Sequence, residues 1–263
     1  MADVRYLHAI TNGTTALPPD LTGFAGAPLS SLNWHDLCAV TSSFDPATLH
    51  DFTLEDVLRH HALIEALAAK GPVLPVRFAT VFLDETAVRQ AVVKHYEALM
   101  AELARLGGKI EMGVSVLWNQ AWQSDSDAAG ISADSVTEVT GPGVFYIKAR
   151  MAKYKQEALA ISRARSVARA LHNVLRPSAL ESRYAILPRS WVLLRASYLL
   201  ERSQVEAFNR AFTLVRDQAP TLRMLPGGPW PPYSFFTQLD GLKLGRIPQL
   251  TTSRFLGSDS LEE

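Results

Sequence analysis

The chain contains 263 residues, of which 48% are hydrophobic and 20% are charged. This composition is typical of folded rather than disordered proteins. The formal net charge of zero excludes the basic excess of a general nucleic-acid binder and leaves self-association open. Cys38 is the single cysteine, too few for a disulfide framework or a thiolate zinc cluster. The sequence shows neither a signal peptide nor an apolar run of membrane-spanning length. We therefore expect a cytoplasmic protein without a membrane partner.

The first 120 residues are predicted to form an N-terminal α+β domain, with helices on one side of a sheet. Its expected strands are 4–10, 29–34, 37–41, 73–78 and 110–118. Thr53 is the expected N-cap of the first helix, and Asp84 begins the second. The first helix is expected to bury Leu54, Val57, Leu58, His61, Ile64 and Ala68. The second is expected to bury Val88, Val92, His95, Leu99, Leu103 and Leu106.

Residues 121–142 are predicted to be a linker, because small, polar and acidic side chains dominate them. The remaining residues, 143–263, are predicted to form a C-terminal domain with a C-terminal extension. It begins with a long helix, up to about Leu175, whose expected core stripe is Ile147, Met151, Tyr154, Ala158, Ile161, Ala164, Ala168, Leu171 and Leu175.

Two strands, a helix and a last strand are predicted to follow the long helix. The strands are expected at 184–187, 191–200 and 221–225. Ser203 and Glu206 have the spacing of a capping box for the helix between them. The order helix, strand, strand, helix, strand favours a modified ferredoxin-like sheet whose first strand is missing or displaced.

Two proline-containing aromatic segments are the most distinctive features of the chain. Gly227–Phe236 contains two glycines, three prolines and four aromatic residues within ten positions. Proline lacks a backbone donor, so this segment cannot lie in a helix or a central strand. Gly71–Phe82 is of the same kind. The Gly227–Phe236 segment is predicted to plug the core of its domain, or to anchor a partner through Trp230 and Tyr233.

Motifs for catalysis and ligand binding are weak throughout the sequence. No phosphate-binding loop, zinc-protease motif or nucleophile elbow is present, so we expect no cofactor and no enzymatic activity. His61 and Glu65 have metal-pair spacing, and His35 lies near Cys38 in the sequence. For both pairs, ordinary structural roles are favoured over a site. Asp84 and Glu85 are better explained as the start of a helix than as an acid–base pair.

The long helix is unusually basic. Glu157 is the one acidic residue opposed to Lys148, Arg150, Lys153, Lys155, Arg163, Arg165, Arg169 and Arg176. Such a face is usually just solvated. The alternative is a docking surface for an acidic partner or for the acidic linker, with Arg163, Arg165 and Arg169 as candidate contacts.

Four segments together resemble the gas vesicle protein GvpF/GvpL family, occur in the order of that family and cover most of the chain. They are Gly71–Phe82 (GPVLPVRFATVF), Leu106–Trp118 (LGGKIEMGVSVLW), Gly141–Arg150 (GPGVFYIKAR) and Gly228–Phe235 (GPWPPYSF). Family members often carry glycine where this chain has Ala79, and we expect a backbone conformation there that alanine tolerates. Arg77, Trp230 and Tyr233 lie in the matched segments and are further candidate partner contacts.

The resemblance implies two α+β domains, the second modified ferredoxin-like, and an accessory role in gas vesicle assembly and nucleation. Gas vesicles are hollow protein shells that give aquatic microbes buoyancy. The implied partners are the shell subunit GvpA and other accessory proteins, with prevention of premature GvpA aggregation as the proposed role. The alternative is an enzyme or small-ligand-binding protein on a ferredoxin-like scaffold, which predicts a deep pocket lined by polar groups.

Overall fold

The computed structural model describes residues 4–45, 52–117, 142–187, 192–220 and 222–236. Backbone contacts divide the chain into two compact units. The first comprises Met1–Gly107 with Phe235–Glu263, and the second comprises Gly108–Ser234. The predicted linker, residues 121–142, lies outside the described residues except for its last position.

The first unit is built on a five-stranded antiparallel sheet. Its strands are β1 (Val4–Asn12), β2 (Leu29–Trp34), β3 (Leu37–Phe44), β4 (Val73–Pro75) and β5 (Val81–Phe82). The strand order is β2-β3-β1-β4, and β5 also pairs with β1. Proline cannot donate to a ladder, and Pro75 accordingly lies in β4 at the sheet edge, as predicted.

Three helices pack against this sheet: α1 (Leu54–Lys70), α2 (Glu85–Lys94) and α3 (Tyr96–Leu106). In β1, Arg5 reaches Glu85 at the start of α2, whereas the neighbouring Tyr6 reaches His60 of α1. Successive strand side chains point to opposite faces of a sheet. Helices therefore cover both faces, and the predicted one-sided layer is wrong.

Sequence signals located the helix starts but not every buried face. Thr53 forms a capping box with Asp56, and the Asp84 carboxylate accepts from the Ala87 amide, as the N-cap predictions require. The predicted second helix is interrupted at His95, where the backbone leaves helical geometry. The predicted α1 face is confirmed at Ile64 but wrong at Leu54, Val57 and Leu58, which are exposed. The other buried residues of the helix are His60, Leu63 and Leu67.

The second unit contains a four-stranded antiparallel sheet ordered β7-β8-β6-β9. Its strands are β6 (Lys109–Leu117), β7 (Glu181–Ile186), β8 (Val192–Glu201) and β9 (Arg223–Trp230). Its helices are α4 (Pro142–Leu175) and α5 (Val205–Gln218). One core joins the two helices to one sheet face and includes Val114, Leu171, Tyr198 and Phe208.

The strand pairing corrects the prediction that the strand at 110–118 belongs to the N-terminal domain. β6 pairs with β8 and β9, so it is a central strand of the second sheet. The division between the units accordingly falls between Gly107 and Gly108 rather than near residue 120. With β6 in place, the second unit has the order strand, helix, strand, strand, helix, strand.

Candidate interaction surfaces

The Gly71–Phe82 segment is a clasp on β1. Both β4 and β5 pair with β1, and the turn between them is fixed by hydrogen bonds. The Ala79 amide donates to the Tyr6 hydroxyl at 2.7 Å, and the Thr80 hydroxyl donates to the Arg77 carbonyl at 2.7 Å. Phe78 packs edge-on against Tyr6, its ring centroid 6.1 Å away. The Arg77 side chain is exposed beside this turn, which leaves it accessible as a candidate contact.

Ala79 adopts a left-handed conformation with φ of 65°. The expectation that this position tolerates alanine without strain is therefore wrong. In the left-handed region the Cβ of an L-residue approaches the following carbonyl oxygen. Glycine avoids that contact, so glycine would fit this backbone position with less strain than alanine.

Two buried histidines lie behind the clasp. His8 and His60 approach within 3.4 Å through their Nδ1 atoms. His8 Nε2 lies 2.9 Å from the Ser42 hydroxyl, and His60 Nε2 lies 3.1 Å from the Val76 carbonyl oxygen. Burial, followed by repulsion from His60, lowers the pKa of His8 to about 3. Burial also lowers the pKa of His60 to about 4, against the raising effect of the Val76 bond. Both rings are therefore neutral near pH 7, and they pack within the core of the first unit.

Other polar pairs singled out in the sequence have structural roles. His61 pairs with Glu65 at 3.3 Å. Cys38 is buried in β3, whereas the His35 ring contacts Trp34 and Tyr96. Glu85 forms ion pairs with Arg5 and Arg89. Within the described ranges, no group of three His, Cys, Asp or Glu side chains is placed to hold a metal ion.

Residues 227–234 of the second proline-containing segment belong to the second unit and lie over the sheet face opposite α4 and α5. Pro231 and Pro232 are buried, as the plug interpretation expects, whereas Phe235 and Phe236 are buried but belong to the first unit. The last strand was predicted to end at residue 225, before this segment. Instead, β9 continues through Trp230 and so includes the first residues of the segment. β9 is an edge strand, which is where a proline-rich strand is tolerated.

Glu111 fixes this segment, a role that sequence reasoning missed. Its carboxylate is buried and accepts from the Ser234 amide at 2.8 Å and from the Ser234 hydroxyl at 2.6 Å. The Ser234 hydroxyl also lies 3.1 Å from that of Ser197, and Arg183 donates to the Ser234 carbonyl at 2.7 Å. The three side chains come from three adjacent strands, β6, β8 and β7.

The indole of Trp230 lies close to two glycines, Gly113 and Gly227. A Cβ added to Gly113 or Gly227 would meet its ring at 3.0 Å or 2.2 Å, so glycine is what allows the close approach. Trp230 nevertheless keeps 39% of its surface exposed, and Tyr233 is half-buried. The structure thus brings these two candidate contacts together in one segment and leaves part of each accessible.

Helix α4 is buried along its second half and exposed along its first. Ala164, Ala168, Leu171 and Leu175 are in the core. The predicted core positions in the first half are not, because Ile147 is 57% exposed, Met151 66% and Tyr154 55%. We call this stripe the α4 seam; it consists of the exposed residues Ile147, Met151, Tyr154 and Ala158 and the half-buried Ile161.

The three candidate arginines of α4 lie on its second half. Arg165 and Arg169 are exposed, and Arg163 is half-buried. Lys148, Arg150, Lys153 and Lys155 are exposed on the first half, so cations accompany the apolar seam. Exposed apolar and cationic side chains along one helix suit a partner that is both apolar and acidic.

A second exposed apolar face lies on α1. Leu54, Val57 and Leu58 are 70%, 41% and 57% exposed, although the sequence pattern predicted that they face the core. These residues share the side of the helix that carries His61.

Enclosed ligand sites are less prominent than these surfaces. One open cavity of about 360 Å³ in the second unit is lined by His172, Asn173, Arg176, Pro177, Ala179 and Leu180. The titratable groups whose pKa values shift strongly, His8, His60 and Tyr198, are instead buried in the two cores. Across the helices that the structure describes, none is both long and apolar enough to cross a membrane.

Comparison with known proteins connects this architecture to one group. The sequence model of the family described as "Gas vesicle synthesis protein GvpL/GvpF" matches residues 4–237. Gas vesicle protein L of Streptomyces sp. (strain CB03234) is 28% identical over 88% of this chain and 92% of that protein. Gas vesicle protein F of the same organism is 25% identical over 68% of this chain and 76% of that protein.

Solved structures with a similar fold are also gas vesicle proteins. The crystal structure of the gas vesicle protein GvpF from Anabaena sp. PCC7120 superposes with a TM-score of 0.68 at 17% identity, covering 90% of this chain and 99% of that one. The mixed helix and antiparallel-sheet fold is therefore that of a gas vesicle protein. Because the family model spans nearly the whole sequence, the chain belongs to the GvpL/GvpF family, which confirms the predicted resemblance.

Proposed function

We propose that this protein is a non-enzymatic accessory factor in gas vesicle assembly and nucleation. It binds the shell subunit GvpA and other accessory proteins, and it limits the premature aggregation of GvpA. Family membership supports this proposal, and the observation that carries it is the exposed apolar and cationic surface of α4. It acts in the cytoplasm, at the growing vesicle.

The physical requirement follows from the shell. A wall that excludes liquid water needs an apolar inner surface, so its free subunits expose apolar area before they assemble. Such surfaces aggregate unless another protein covers them. Met151, exposed on a helix whose second half is well packed, is the kind of side chain that a covering surface requires.

We also infer that the protein has two domains, of which the second is a modified ferredoxin-like domain. The order β6-α4-β7-β8-α5-β9 supports this inference, as does the sheet order β7-β8-β6-β9. Both domains then serve as scaffolds that present surface helices. The Gly227–Phe236 segment stiffens the second domain, and its accessible Trp230 and Tyr233 are auxiliary contacts.

The proposal is tested by co-expressing the tagged full-length chain with GvpA and measuring retention of GvpA on the tag. We expect retention, and we expect deletion of the gene to abolish vesicles in a host without a paralogue. Complementation with the wild-type gene is the control. Normal vesicles in the clean deletion, or no GvpA retention above that of an unrelated tagged protein, would overturn the proposal.

A further inference from the structure

The α4 seam has the spacing of a coiled-coil contact. Its residues recur at intervals of four, three, four and three, which is the pattern of alternating a and d positions in a heptad. A helix that packs only against its own domain needs no such pattern on its solvent side. In the same heptad frame, Ala168 and Leu175 hold the position of Tyr154 and Ile161 but are buried in the domain core, so the exposed part of the stripe ends near Ile161.

The positions that flank the seam carry positive charge. In the heptad frame that places Met151 at a and Tyr154 at d, the e and g positions are Lys148, Arg150, Lys155 and Glu157. The first three are exposed cations. The Arg150 guanidinium also lies 5.7 Å from the centroid of the Tyr154 ring, which keeps this charge at the edge of the seam.

Charge at these positions selects the partner in a coiled coil. Two copies of the seam in parallel would place lysine and arginine opposite lysine and arginine, which disfavours self-pairing. A helix with apolar a and d positions and acidic e and g positions would satisfy both features together. We propose that the α4 seam binds an acidic amphipathic helix of a partner protein in a coiled-coil arrangement.

This inference deepens the proposed function and rests on it for the identity of the partner, but not for the chemistry of the contact. The chain's own segment 118–141 is a competing occupant, because it contains four acidic residues and no basic one. A second copy of this chain is the other competitor.

The test uses the full-length protein and two synthetic peptides of three heptads each. Both peptides carry leucine at a and d. One carries glutamate at e and g, and the other carries lysine there. We expect fluorescence anisotropy to show the acidic peptide bound at least about tenfold more tightly than the basic one, and less tightly as the salt rises to about 0.3 M. Equal binding of the two peptides, or binding of neither, would overturn the proposal.

Two variants locate the contact. Met151→Glu should weaken binding of the acidic peptide about tenfold or more. Leu214→Glu, at a comparably exposed position on α5, should leave it unchanged. Charge reversal of the flanking cations (Lys148→Glu, Arg150→Glu and Lys155→Glu together) should invert the preference toward the basic peptide. Equal effects of Met151→Glu and Leu214→Glu would contradict the seam, as would an unaltered preference in the reversed variant.

Two further measurements separate the occupants. Replacing the four acidic residues of 118–141 by their amides should leave the affinity for the acidic peptide unchanged. A rise of about tenfold would show that this segment occupies the seam and would overturn the proposal of a separate partner. A change of oligomeric mass in Met151→Glu, measured by sedimentation, would identify a second copy as the occupant and overturn it equally. If the peptide binds as expected but GvpA is not retained, the proposed function fails while the seam stands.

Discussion

Ala79→Gly is expected to stabilise the protein, although alanine-to-glycine substitutions usually destabilise. Ala79 has a φ of 65°, and the left-handed conformation costs an L-residue roughly 1–2 kcal/mol. Glycine removes this cost but adds unfolded-state entropy worth about 0.4–1 kcal/mol. The methyl group is half-buried, so the lost burial takes back less than about 0.8 kcal/mol. The net gain should be about 0.5 kcal/mol.

A second alanine-to-glycine substitution serves as a matched control, because both substitutions carry the same entropy cost in the unfolded state. Ala69→Gly, at an exposed position of α1, carries the same entropy cost without relief of strain and should lose about 1 kcal/mol. Ala25, with a φ of 52°, should behave like Ala79 when replaced by glycine. The measurement is the urea midpoint followed by circular dichroism, with unchanged slope. A separation of about 1.5 kcal/mol between Ala79→Gly and Ala69→Gly is expected from these terms. Equal destabilisation by the two would refute a strained Ala79.

Three further predictions follow from the two units. Because His8 and His60 have pKa values lowered to about 3 and about 4 from 6.5, the unfolded chain binds more protons below pH 6.5. Stability should therefore fall as the pH drops from about 6.5 to about 5, by up to about 1.4 kcal/mol per unit for each ring. A urea midpoint that stays constant over this pH range would contradict the predicted loss of stability. Glu111→Ala should destabilise by about 2 kcal/mol, because it removes two hydrogen bonds that Ser234 donates to a buried carboxylate. The exposed Glu206→Ala should change the urea midpoint much less, and equal losses would count against the role of Glu111. Charge reversal of the three candidate arginines should weaken a salt-sensitive interaction with an acidic partner, and unchanged affinity in calorimetry at low and high salt would show that this face is merely solvated. The three are Arg163, Arg165 and Arg169.

Local signals in the sequence predicted much of the element order, because they depend on neighbouring residues alone. The N-caps Thr53 and Asp84 and the edge position of Pro75 are confirmed. The capping box expected at Ser203 is wrong, since that residue lies in a short 3-10 turn and no side chain caps α5. The 3-10 turn moves the helix start to Val205, beyond the reach of the predicted box.

Features that depend on distant residues were not predictable in the same way. Glu111 and Ser234 are 123 positions apart, so no local pattern marks either as a partner of the other. The strand containing Glu111 was assigned to the wrong sheet for a related reason. β6 follows the N-terminal unit directly in sequence, but its pairing partners β8 and β9 come after α4. Proximity in sequence favours a strand's membership in the preceding sheet, and here pairing across α4 prevails.

Helices α1 and α4 expose apolar residues that the sequence pattern placed in the core. In α1, apolar residues occupy two faces, and periodicity cannot tell which face meets the domain core, so Leu58 lies on the exposed one. In α4, the apolar stripe extends beyond the part of the helix that meets the core, which leaves Met151 exposed to solvent. Large apolar side chains at helical spacing on a solvent face cost solubility unless they are covered. Under the proposed function, contact with apolar shell subunits would offset this cost. We therefore propose that the apolar residues in excess of what the core needs, on α1 and on the first half of α4, mark where partners bind.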